Sequence, residues 1–436
     1  MPLISNRPGL RRPGRCSLVC IGLLVAAAIS ASASRAIAQT AAYTYTPAQI
    51  ESAYNYSGIT FSTPNGPVTA DGSGQTIAII VAGDDPNLTA DLSTFDTQFG
   101  IAAPTSLNVY NQGGTNTTIA GQSAVTATSA TGTAAIEELL DVEWTHALAP
   151  GAAIDVIEAN TTSQFNYDSA ESVALTLPVS VVSMAYGFLE TSSETGGTDT
   201  YNVTPANHQG ITFISGSGDH GTLTYPGTSP TVLSVGGTSL LLNASNKISS
   251  ETVWNDSSGS SGGGTSLYES RPSYQNGIQS SSMRSAPDVA FDGDSNTGLY
   301  VYVDNAKGTA GGYFSVGGTS AGVPGWAALI AMADQGRVLN EEGTLDSSDL
   351  TSGNGTLSLL YDLAGTSNYN LAFNDITSGM NSNGVAAGVG YDDVTGLGSP
   401  NASFLVPYLA GDGVPEPATA TLLLIAAPIA LRRRRR

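Results

Sequence analysis

Short apolar runs rich in β-branched residues alternate along the chain with longer segments whose apolar positions recur at helical spacing. Apolar runs that are separated by helices indicate parallel strands whose two faces are both buried. The pattern predicts an α/β fold with a mostly parallel sheet and helices on both faces. The predicted strands are Thr76–Ala82, Ala153–Ala159, Val179–Tyr186, Ile211–Ser217 and Thr231–Val235, and the predicted helices are Leu88–Phe99, Ile136–Ala149, Tyr167–Leu175 and Thr319–Asp334.

The turns that follow the predicted strands are where functional side chains are expected. In parallel sheets of this kind, ligands bind beyond the carboxyl ends of the strands. The turns after Ala82, Tyr186 and Ser217, and the start of the helix at Thr319, are therefore the places to search. No charge block, repeat or proline-rich linker interrupts residues 39–410, so a single domain is predicted there.

The first 38 residues have the features of a secretory signal peptide. A basic start is followed by the apolar stretch Ser17–Ile29 and by the small-residue site Ala36-Ile37-Ala38. Both cysteines, Cys16 and Cys20, lie inside this segment. The mature chain is therefore expected to be exported and to contain neither a thiol nor a disulfide.

The last segment, residues 411–436, has the features of a sorting signal. Val414-Pro415-Glu416-Pro417 precedes the apolar segment Ala418–Leu431 and five terminal arginines. As a helix, the apolar segment would be roughly 21 Å long, which is shorter than a hydrocarbon core of about 30 Å. The arrangement resembles the PEP-CTERM signal of Gram-negative bacteria. The resemblance implies processing by exosortase-type machinery and delivery to the cell envelope or extracellular matrix, with an ordinary tail anchor as the alternative.

The charge distribution argues against several classes of partner. Of the 15 Lys and Arg residues, five lie in residues 1–38 and five are the terminal arginines, whereas the whole chain has 36 Asp and Glu residues. So acidic a surface repels phosphate groups and anionic lipids, and no nucleic-acid partner is expected. Carboxyl groups become neutral near about pH 4, so the chain carries little excess charge in acid.

A glycine-rich turn places Ser320 at the start of a predicted helix. Gly317 and Gly318 allow a tight turn, and unpaired N–H groups at a helix N-terminus favour developing negative charge. Ser320 is therefore a candidate nucleophile. The alternative is that Ser320 or Thr319 only caps the helix.

A pair of carboxyl groups is the candidate for a general base. Glu137 and Asp141 are four residues apart, so they lie on one face of the predicted helix and are close enough to share a proton. Two like charges at this spacing cost helix stability unless a site uses them. The alternative is a solvated acidic face in an acidic protein.

These segments resemble the sedolisins, or serine-carboxyl peptidases, and most closely the kumamolisin branch. The stretch Gly318-Thr319-Ser320-Ala321-Gly322-Val323-Pro324 is similar to the Gly-Thr-Ser-x-x-x-Pro motif that sedolisins share with subtilisins. The other similar segments occur in the same order as in the family. They are Leu140–Glu143 leading to Ala149–Ala152, Ser217–Asp219, Pro230–Thr238, Glu251–Asn255, Ser261–Gly264 and Pro287–Ala290.

The resemblance implies a subtilisin-like fold and a role for each candidate residue. Ser320 would attack the peptide carbonyl, Glu137 would act as the base and Asp141 would orient it. Asp219 would donate a hydrogen bond to the oxyanion while it is protonated. The expected function is a secreted, monomeric, acid-acting endopeptidase for proteins or peptides, with a base that titrates near about 4. The kumamolisin branch commonly has Trp where this chain has Tyr186, so the substrate-side walls are expected to differ.

Two other functions remain open at the level of sequence. A binding or matrix protein could keep this fold without activity. A neutral subtilisin-type peptidase would need an Asp on the first strand and a His on the next helix, but Ile77–Gly83 contains no Asp. His146, His208 and His220 also lie outside the required place, so they are interpreted as structural or incidental.

A glycine-rich segment near the end of the domain resembles the sedolisin calcium site. The resemblance implies one structural Ca²⁺ ion, with Asp375 and Asp392 as carboxylate ligands. The carbonyl oxygens of Ile376, Gly388 and Gly390 would complete the protein ligands. Carboxylates and freed carbonyls suit a cation that takes about six oxygens. The alternative is a surface loop without a metal.

Overall fold

A central sheet of eight strands organises the computed structural model, which describes residues 44–118, 133–304, 311–350 and 353–412. A 3₁₀ turn, Thr319–Ala321, immediately precedes the fifth helix. The described helices are α1 (Pro47–Tyr54), α2 (Leu88–Phe99), α3 (Thr133–Leu148), α4 (Gln164–Ala174), α5 (Gly322–Leu339), α6 (Thr356–Asp362), α7 (Tyr369–Ala372) and α8 (Ala402–Leu409). The described strands are β1 (Thr60–Thr63), β2 (Gly66–Thr69), β3 (Thr76–Ala82), β4 (Leu107–Asn111), β5 (Ala153–Ala159), β6 (Val181–Met184), β7 (Phe188–Leu189), β8 (Thr212–Gly216), β9 (Thr224–Tyr225), β10 (Val232–Leu242), β11 (Ile248–Val253), β12 (Gly264–Ser270), β13 (Met283–Ala286), β14 (Val289–Asp292), β15 (Leu299–Val303), β16 (Gly312–Val316), β17 (Phe373–Asn374) and β18 (Ser399–Pro400).

The central sheet is mostly parallel, as the sequence predicts. Its strand order is β11-β10-β8-β6-β3-β5-β4, and β14 also pairs with β10. The pairing of β10 with β11 is antiparallel, whereas the remaining pairs of this sheet are parallel. Strands β8, β6 and β3 are neighbours, so their carboxyl ends lie side by side at one edge of the sheet.

Both faces of the sheet are covered, which explains why its strands are apolar on both sides. In β3, Ile77 and Ile79 belong to a core that also contains side chains of α3 and α5. Ala78 and Ile80, on the opposite face, pack in a second core with side chains of α4. Successive side chains of a strand point to opposite faces, so each face takes alternate residues of the apolar run. This arrangement confirms the predicted fold class.

The observed bounds depart from the predictions at several elements. The helices α3 and α4 each begin three residues earlier than predicted, and β10 extends to Leu242. The predicted strand Val179–Tyr186 ends at Met184, because the chain leaves the sheet there and its next residues line a cavity. The predicted helix at Thr319 begins with the 3₁₀ turn. The predictions for Thr76–Ala82, Ala153–Ala159 and Leu88–Phe99 are confirmed.

All described residues belong to one compact unit. Among them, no helix combines the length and the apolar character that a crossing of the bilayer requires. The predicted signal peptide, residues 1–38, and residues 413–436 of the predicted sorting signal lie outside the described residues.

Candidate active site

Four candidate residues from three parts of the chain line one cavity at the carboxyl edge of the sheet. Glu137 and Asp141 lie on α3, Asp219 follows β8, and Ser320 lies in the 3₁₀ turn before α5. We call this space, of about 330 Å³, the carboxylate cavity. Residues from the ends of β3 and β6 complete its wall, as expected for a site beyond the carboxyl ends of parallel strands.

Ser320 is presented to the cavity by a backbone turn that requires glycine. Its Oγ lies 3.4 Å from the carbonyl oxygen of Ala185, to which it can donate, and its hydroxyl also hydrogen-bonds to Glu137. Gly318 has a φ of 119°, which side chains of L-residues rarely adopt. A Cβ atom at Gly318 would also lie 3.1 Å from Oδ2 of Asp219. Glycine at position 318 therefore lets the backbone of this turn approach the carboxyl group of Asp219.

Glu137 and Asp141 form a buried carboxyl pair behind Ser320. The pKa of Glu137 is raised to about 7, and burial is the main cause. The hydrogen bond from Ser320 lowers this pKa, whereas the charge of Asp219 raises it. Asp141 is fully buried, and its pKa is raised well above the usual range by burial and then by the charge of Glu137. Within the described residues, neither oxygen of Asp141 has a hydrogen-bond partner. The two carboxyl groups therefore titrate together and favour holding a proton between them.

Asp219 is held against the residue that precedes Ser320. Its Oδ1 accepts hydrogen bonds from the backbone N and from Oγ1 of Thr319, both at 2.8 Å. The same Thr319 Oγ1 accepts a hydrogen bond from the backbone N of Gly218 at 3.2 Å. A Cβ atom at Gly216 would lie 2.6 Å from Thr319 Oγ1, so this approach needs glycine. The position of Asp219 is thus coupled to that of the Ser320 turn.

Two tyrosine side chains stand on the cavity wall, of which Tyr186 is expected there from the resemblance and Tyr167 is not. Tyr167 of α4 and Tyr186 after β6 both line the carboxylate cavity, and their rings stack with centroids 3.7 Å apart and an interplanar angle of 16°. The pKa of Tyr167 is raised by burial and then by the charges of Glu137 and Asp141. An aromatic residue on the apolar face of a helix looks like an ordinary core residue in sequence, so no local signal identifies Tyr167.

A second cavity of about 200 Å³ adjoins the first one at Ser320 and Asp219. We call it the glycine cavity, because Gly187, Gly216 and Gly218 are part of its lining. His220 is exposed and also lines this cavity. The sequence analysis interprets His220 as structural or incidental and does not predict this position.

The other two histidines lie among contacts that stabilise the fold. His146 is fully buried, and its Nε2 lies 2.8 Å from the carbonyl oxygen of Ala102 and 3.5 Å from Asp96. His208 contacts two carbonyl oxygens, those of Gln209 and Leu177, each at 2.8 Å. Neither histidine lines the carboxylate cavity or the glycine cavity.

The segment that resembles a calcium site brings its two aspartates to one loop. The backbone N of Gly390 donates to Oδ1 and Oδ2 of Asp375, at 3.1 and 3.0 Å, and the backbone N of Gly388 donates to Oδ2 of Asp392 at 2.9 Å. Burial raises the pKa of Asp392, although several backbone hydrogen bonds lower it. In residues 44–118, 133–304, 311–350 and 353–412, no group of three or more His, Cys, Asp or Glu side chains could hold a metal. An ion here would therefore depend on two carboxylates and on backbone carbonyl oxygens such as that of Ile376.

Comparison with known proteins finds relatives of similar sequence that are peptidases of one family. No protein-family model matches the chain. Kumamolisin of Bacillus sp. (strain MN-32) is 33% identical over an alignment of 393 residues that covers 83% of this chain and 63% of kumamolisin. Sedolisin of Pseudomonas sp. (strain 101) is 31% identical over 278 residues, which cover 58% of this chain and 43% of sedolisin. The chain thus spans less than two thirds of the length of these relatives.

A solved structure shares the fold. Pseudomonas sedolisin, a serine-carboxyl proteinase complexed with two molecules of pseudo-iodotyrostatin, matches with a TM-score of 0.68 and 26% identity. The match covers 86% of this chain and 100% of that chain. The similarity in sequence to kumamolisin and sedolisin, together with the shared subtilisin-like fold, supports membership of this chain in the sedolisin family.

Proposed function

We propose that this protein is an acid-acting serine-carboxyl endopeptidase that hydrolyses peptide bonds in proteins or peptides. The observation that carries the proposal is the convergence of Ser320, Glu137, Asp141 and Asp219 on one cavity. A hydroxyl group, a base within its reach and a second group that orients the base are the parts that nucleophilic catalysis needs. The relatives named above are consistent with this chemistry.

In the proposed reaction, Oγ of Ser320 attacks the carbonyl carbon of the scissile bond and its proton passes to Glu137. Collapse of the tetrahedral intermediate breaks the C–N bond, and Glu137 returns the proton to the leaving amine. Water then attacks the carbonyl carbon of the ester on Ser320 while Glu137 accepts a proton from the water. Collapse of this second tetrahedral intermediate breaks the bond between the carbonyl carbon and Oγ, Glu137 returns the proton to Oγ, and the carboxylic acid product leaves. Asp141 keeps Glu137 oriented through the shared proton.

Asp219 supplies the hydrogen bond that stabilises the oxyanion in this proposal. Both of its hydrogen bonds from Thr319 end on Oδ1, which leaves Oδ2 to carry the proton that is donated. An oxyanion donor in a partly buried site contributes about 10²–10³ in kcat. Donation requires the neutral carboxyl form, so the site works only while Asp219 is protonated.

The structure of the site also argues against the two alternative functions. A subtilisin-type base is disfavoured, because Ile80, Val81 and Ala82 form the cavity wall where β3 ends and no histidine lines the carboxylate cavity. A catalytically silent binding protein would have no use for a fully buried Asp141 whose oxygens lack partners among the described residues. Burying such a group is costly unless its neighbours or its function compensate.

We expect kcat/KM to be high in acid and to fall above about pH 7. The active form has Glu137 ionised and Asp219 protonated. Because the pKa of Glu137 is raised to about 7, its ionised fraction grows as the pH rises toward 7 and gains nothing beyond it. Donation to the oxyanion still requires the neutral carboxyl form of Asp219, so the rate falls above this pH. The sequence alone predicts a base whose pKa is near about 4. The pKa of Glu137 is higher than this because the side chain is buried. The measurement is hydrolysis of a denatured protein between about pH 3 and pH 8.

An Asp219→Asn variant provides the control for that profile. Its amide donates at every pH, so we expect the decline above about pH 7 to disappear, whereas Asp219→Ala should lose about 10²–10³ in kcat in acid, where the unaltered protein has the donor. A decline that persists unchanged in Asp219→Asn would show that another group causes it.

The proposal includes one structural Ca²⁺ ion at the loop of Asp375 and Asp392. The two carboxylates would bind the ion together with the carbonyl oxygens of Ile376, Gly388 and Gly390. The proposal is supported by the two carboxylates of this loop, which the backbone N–H groups of Gly388 and Gly390 contact, and by the preference of Ca²⁺ for oxygen ligands. The ion would hold this loop and take no part in the reaction.

Removal of calcium should lower the melting temperature without changing the identity of the cleaved bonds. An ion at a hundredfold excess over its Kd stabilises the folded state by about 2.7 kcal/mol. Thermal unfolding with calcium and with a chelator measures this difference. Asp392→Asn should abolish it and the neighbouring Asp393→Asn should keep it. An equal loss in both variants would argue against the assigned ligands.

The proposal also covers export and delivery. The chain would lose residues 1–38, would be processed in residues 411–436 by exosortase-type machinery, and would act as a monomer in the envelope or matrix of a Gram-negative bacterium. Mass spectrometry of the protein from such a host should find an N-terminus near Gln39 and no terminal arginines. A chain that keeps both ends would contradict this part of the proposal.

A further inference from the structure

The ring of Tyr186 lies at the boundary between the carboxylate cavity and the glycine cavity. Tyr186 and Ala185 line both cavities, and both spaces reach Ser320 and Asp219. A substrate that occupies both spaces at Ser320 therefore lies beside Tyr186. The position of Tyr186 decides whether the two spaces receive different side chains or merge into one.

The two cavities differ in size and in lining. The carboxylate cavity, of about 330 Å³, has the apolar wall of Ile80, Val81 and Ala134 beside its carboxyl groups. The glycine cavity, of about 200 Å³, has Gly187 and Thr224 in its wall. The first suits a large apolar side chain and the second a smaller one, provided that the boundary between them stays in place.

The polar end of Tyr186 is held by a carboxyl group behind the wall. The hydroxyl of Tyr186 donates a hydrogen bond to Oε1 of Glu171 on α4, and Glu171 is only 3% exposed. The ring face stacks on Tyr167, and Phe188 lies 5.9 Å from both rings. The aromatic contacts restrain the plane of the ring, whereas the hydrogen bond sets how far the ring reaches into the boundary.

Glu171 acts as a hydrogen-bonding group and not as a charge in acid. Burial raises its pKa well above the usual range, and the charge of Asp168 on the same helix adds to this effect. The groups that face it from other elements are the hydroxyls of Tyr186 and Tyr225, and the latter follows Thr224 in β9. A neutral carboxyl group can be imitated by an amide, so glutamine should replace Glu171 without loss of the contact.

We propose that Glu171 is a positioning residue that sets substrate selectivity by holding Tyr186 at the boundary of the two cavities. The inference rests on the proposed peptidase function. Without the hydrogen bond, the ring is free to shift and the two spaces merge. The enzyme then distinguishes large from small side chains less well, although Ser320 and Glu137 are untouched.

The experiment compares Tyr186→Phe, Glu171→Leu and Glu171→Gln with the unaltered protein. Mass spectrometry of a digested peptide pool identifies the most selective substrate position. kcat and KM are then measured for two peptides that differ only by Phe or Gly at that position. We expect the ratio of the two kcat/KM values to fall about tenfold in Tyr186→Phe and Glu171→Leu, mainly through KM, and to be kept in Glu171→Gln.

A second buried tyrosine and glutamate pair provides the matched control. The hydroxyl of Tyr54 donates to Oε1 of Glu251 at 2.8 Å, and neither residue lines the two cavities. Tyr54→Phe should lower the melting temperature and leave the selectivity unchanged. This comparison separates a loss of positioning from a general loss of stability.

The same peptides are also titrated by calorimetry into variants that carry Ser320→Ala, where no turnover is expected. The difference in affinity between the Phe and Gly peptides should shrink in Tyr186→Phe and persist in Glu171→Gln. An unchanged preference in Tyr186→Phe, or a loss in Glu171→Gln equal to that in Glu171→Leu, overturns the inference and leaves the peptidase proposal intact. Absence of cleavage together with the expected change in affinity overturns the peptidase proposal alone.

Discussion

Replacement of Ser320 by alanine is expected to lower kcat by about a millionfold, because it removes the hydroxyl group that hydrogen-bonds to Glu137 and that forms the acyl intermediate in the proposed reaction. Glu137→Gln should cost a similar factor, since the hydroxyl of Ser320 then keeps its proton. The two losses should not add in the double variant, because the residues act as one unit. The measurement is single-turnover and steady-state cleavage of a peptide in acid.

Two neighbouring substitutions provide the controls for this experiment. Ser315→Ala removes a hydroxyl on β16, and Glu138→Gln removes a buried carboxyl group next to Glu137 that does not line the cavity. Both variants should keep kcat within a small factor. Full activity in Ser320→Ala would reject Ser320 as the nucleophile. A folded, unaltered protein that cleaves nothing in acid would favour the silent binding protein.

The free energy of unfolding is expected to fall by several kcal/mol as the pH rises from about 4 to about 8. The cause is a set of carboxyl groups that the fold buries in their neutral form. Burial is the first cause of a raised pKa in each of them, and the unfolded chain would titrate them near about 4. They include Glu138, Glu143, Glu158, Asp292 and Asp334.

Glu158 at the end of β5 shows the sign and the size of the effect. Burial, the charge and hydrogen bond of Asp84, and the charge of Asp85 raise its pKa to about 8. A group whose pKa is higher in the folded state stabilises that state fully below the unfolded pKa, and this contribution is lost as the pH rises through the folded pKa. At about 1.4 kcal/mol per unit, Glu158 alone contributes at most about 5 kcal/mol. This contribution of Glu158 to stability is lost between about pH 4 and about pH 8.

Denaturant unfolding at several pH values tests this expectation. Glu158→Gln removes one of the titrating groups, so its stability should depend less on pH and should exceed that of the unaltered protein at about pH 8. Glu341→Gln, which changes an exposed carboxyl group beyond α5, should keep the original dependence. A protein that is equally stable from about pH 4 to about pH 8 would show that these carboxyl groups ionise without cost in the folded state.

The fold was largely predictable from the sequence because its signal is local and repeated. The strand Thr76–Ala82 is an apolar run bounded by turn residues, and such a run is typical of a strand in a sheet that is covered on both faces. The strand predicted to end at Tyr186 ends at Met184, because the residues after it turn away to border the cavities. Local propensity does not encode that change of direction.

The candidate site was predictable in its membership but not in its electrostatics. Motif resemblance names Ser320, Glu137, Asp141 and Asp219, and all four line one cavity. Resemblance does not indicate that Glu171 holds Tyr186, since this contact depends on how α4 packs behind the loop after β6.

The sequence by itself determined the alternation of strands and helices, the acidic composition and the residue types that can carry out the proposed chemistry. These properties depend only on residue types and on their spacing over short stretches of the chain. Only the tertiary structure decided which carboxyl groups are buried, and it thereby raised the pKa of Glu137 to about 7 and that of Glu158 to about 8. Desolvation and charge depend on groups that are distant along the chain and close in space, so no local pattern contains them.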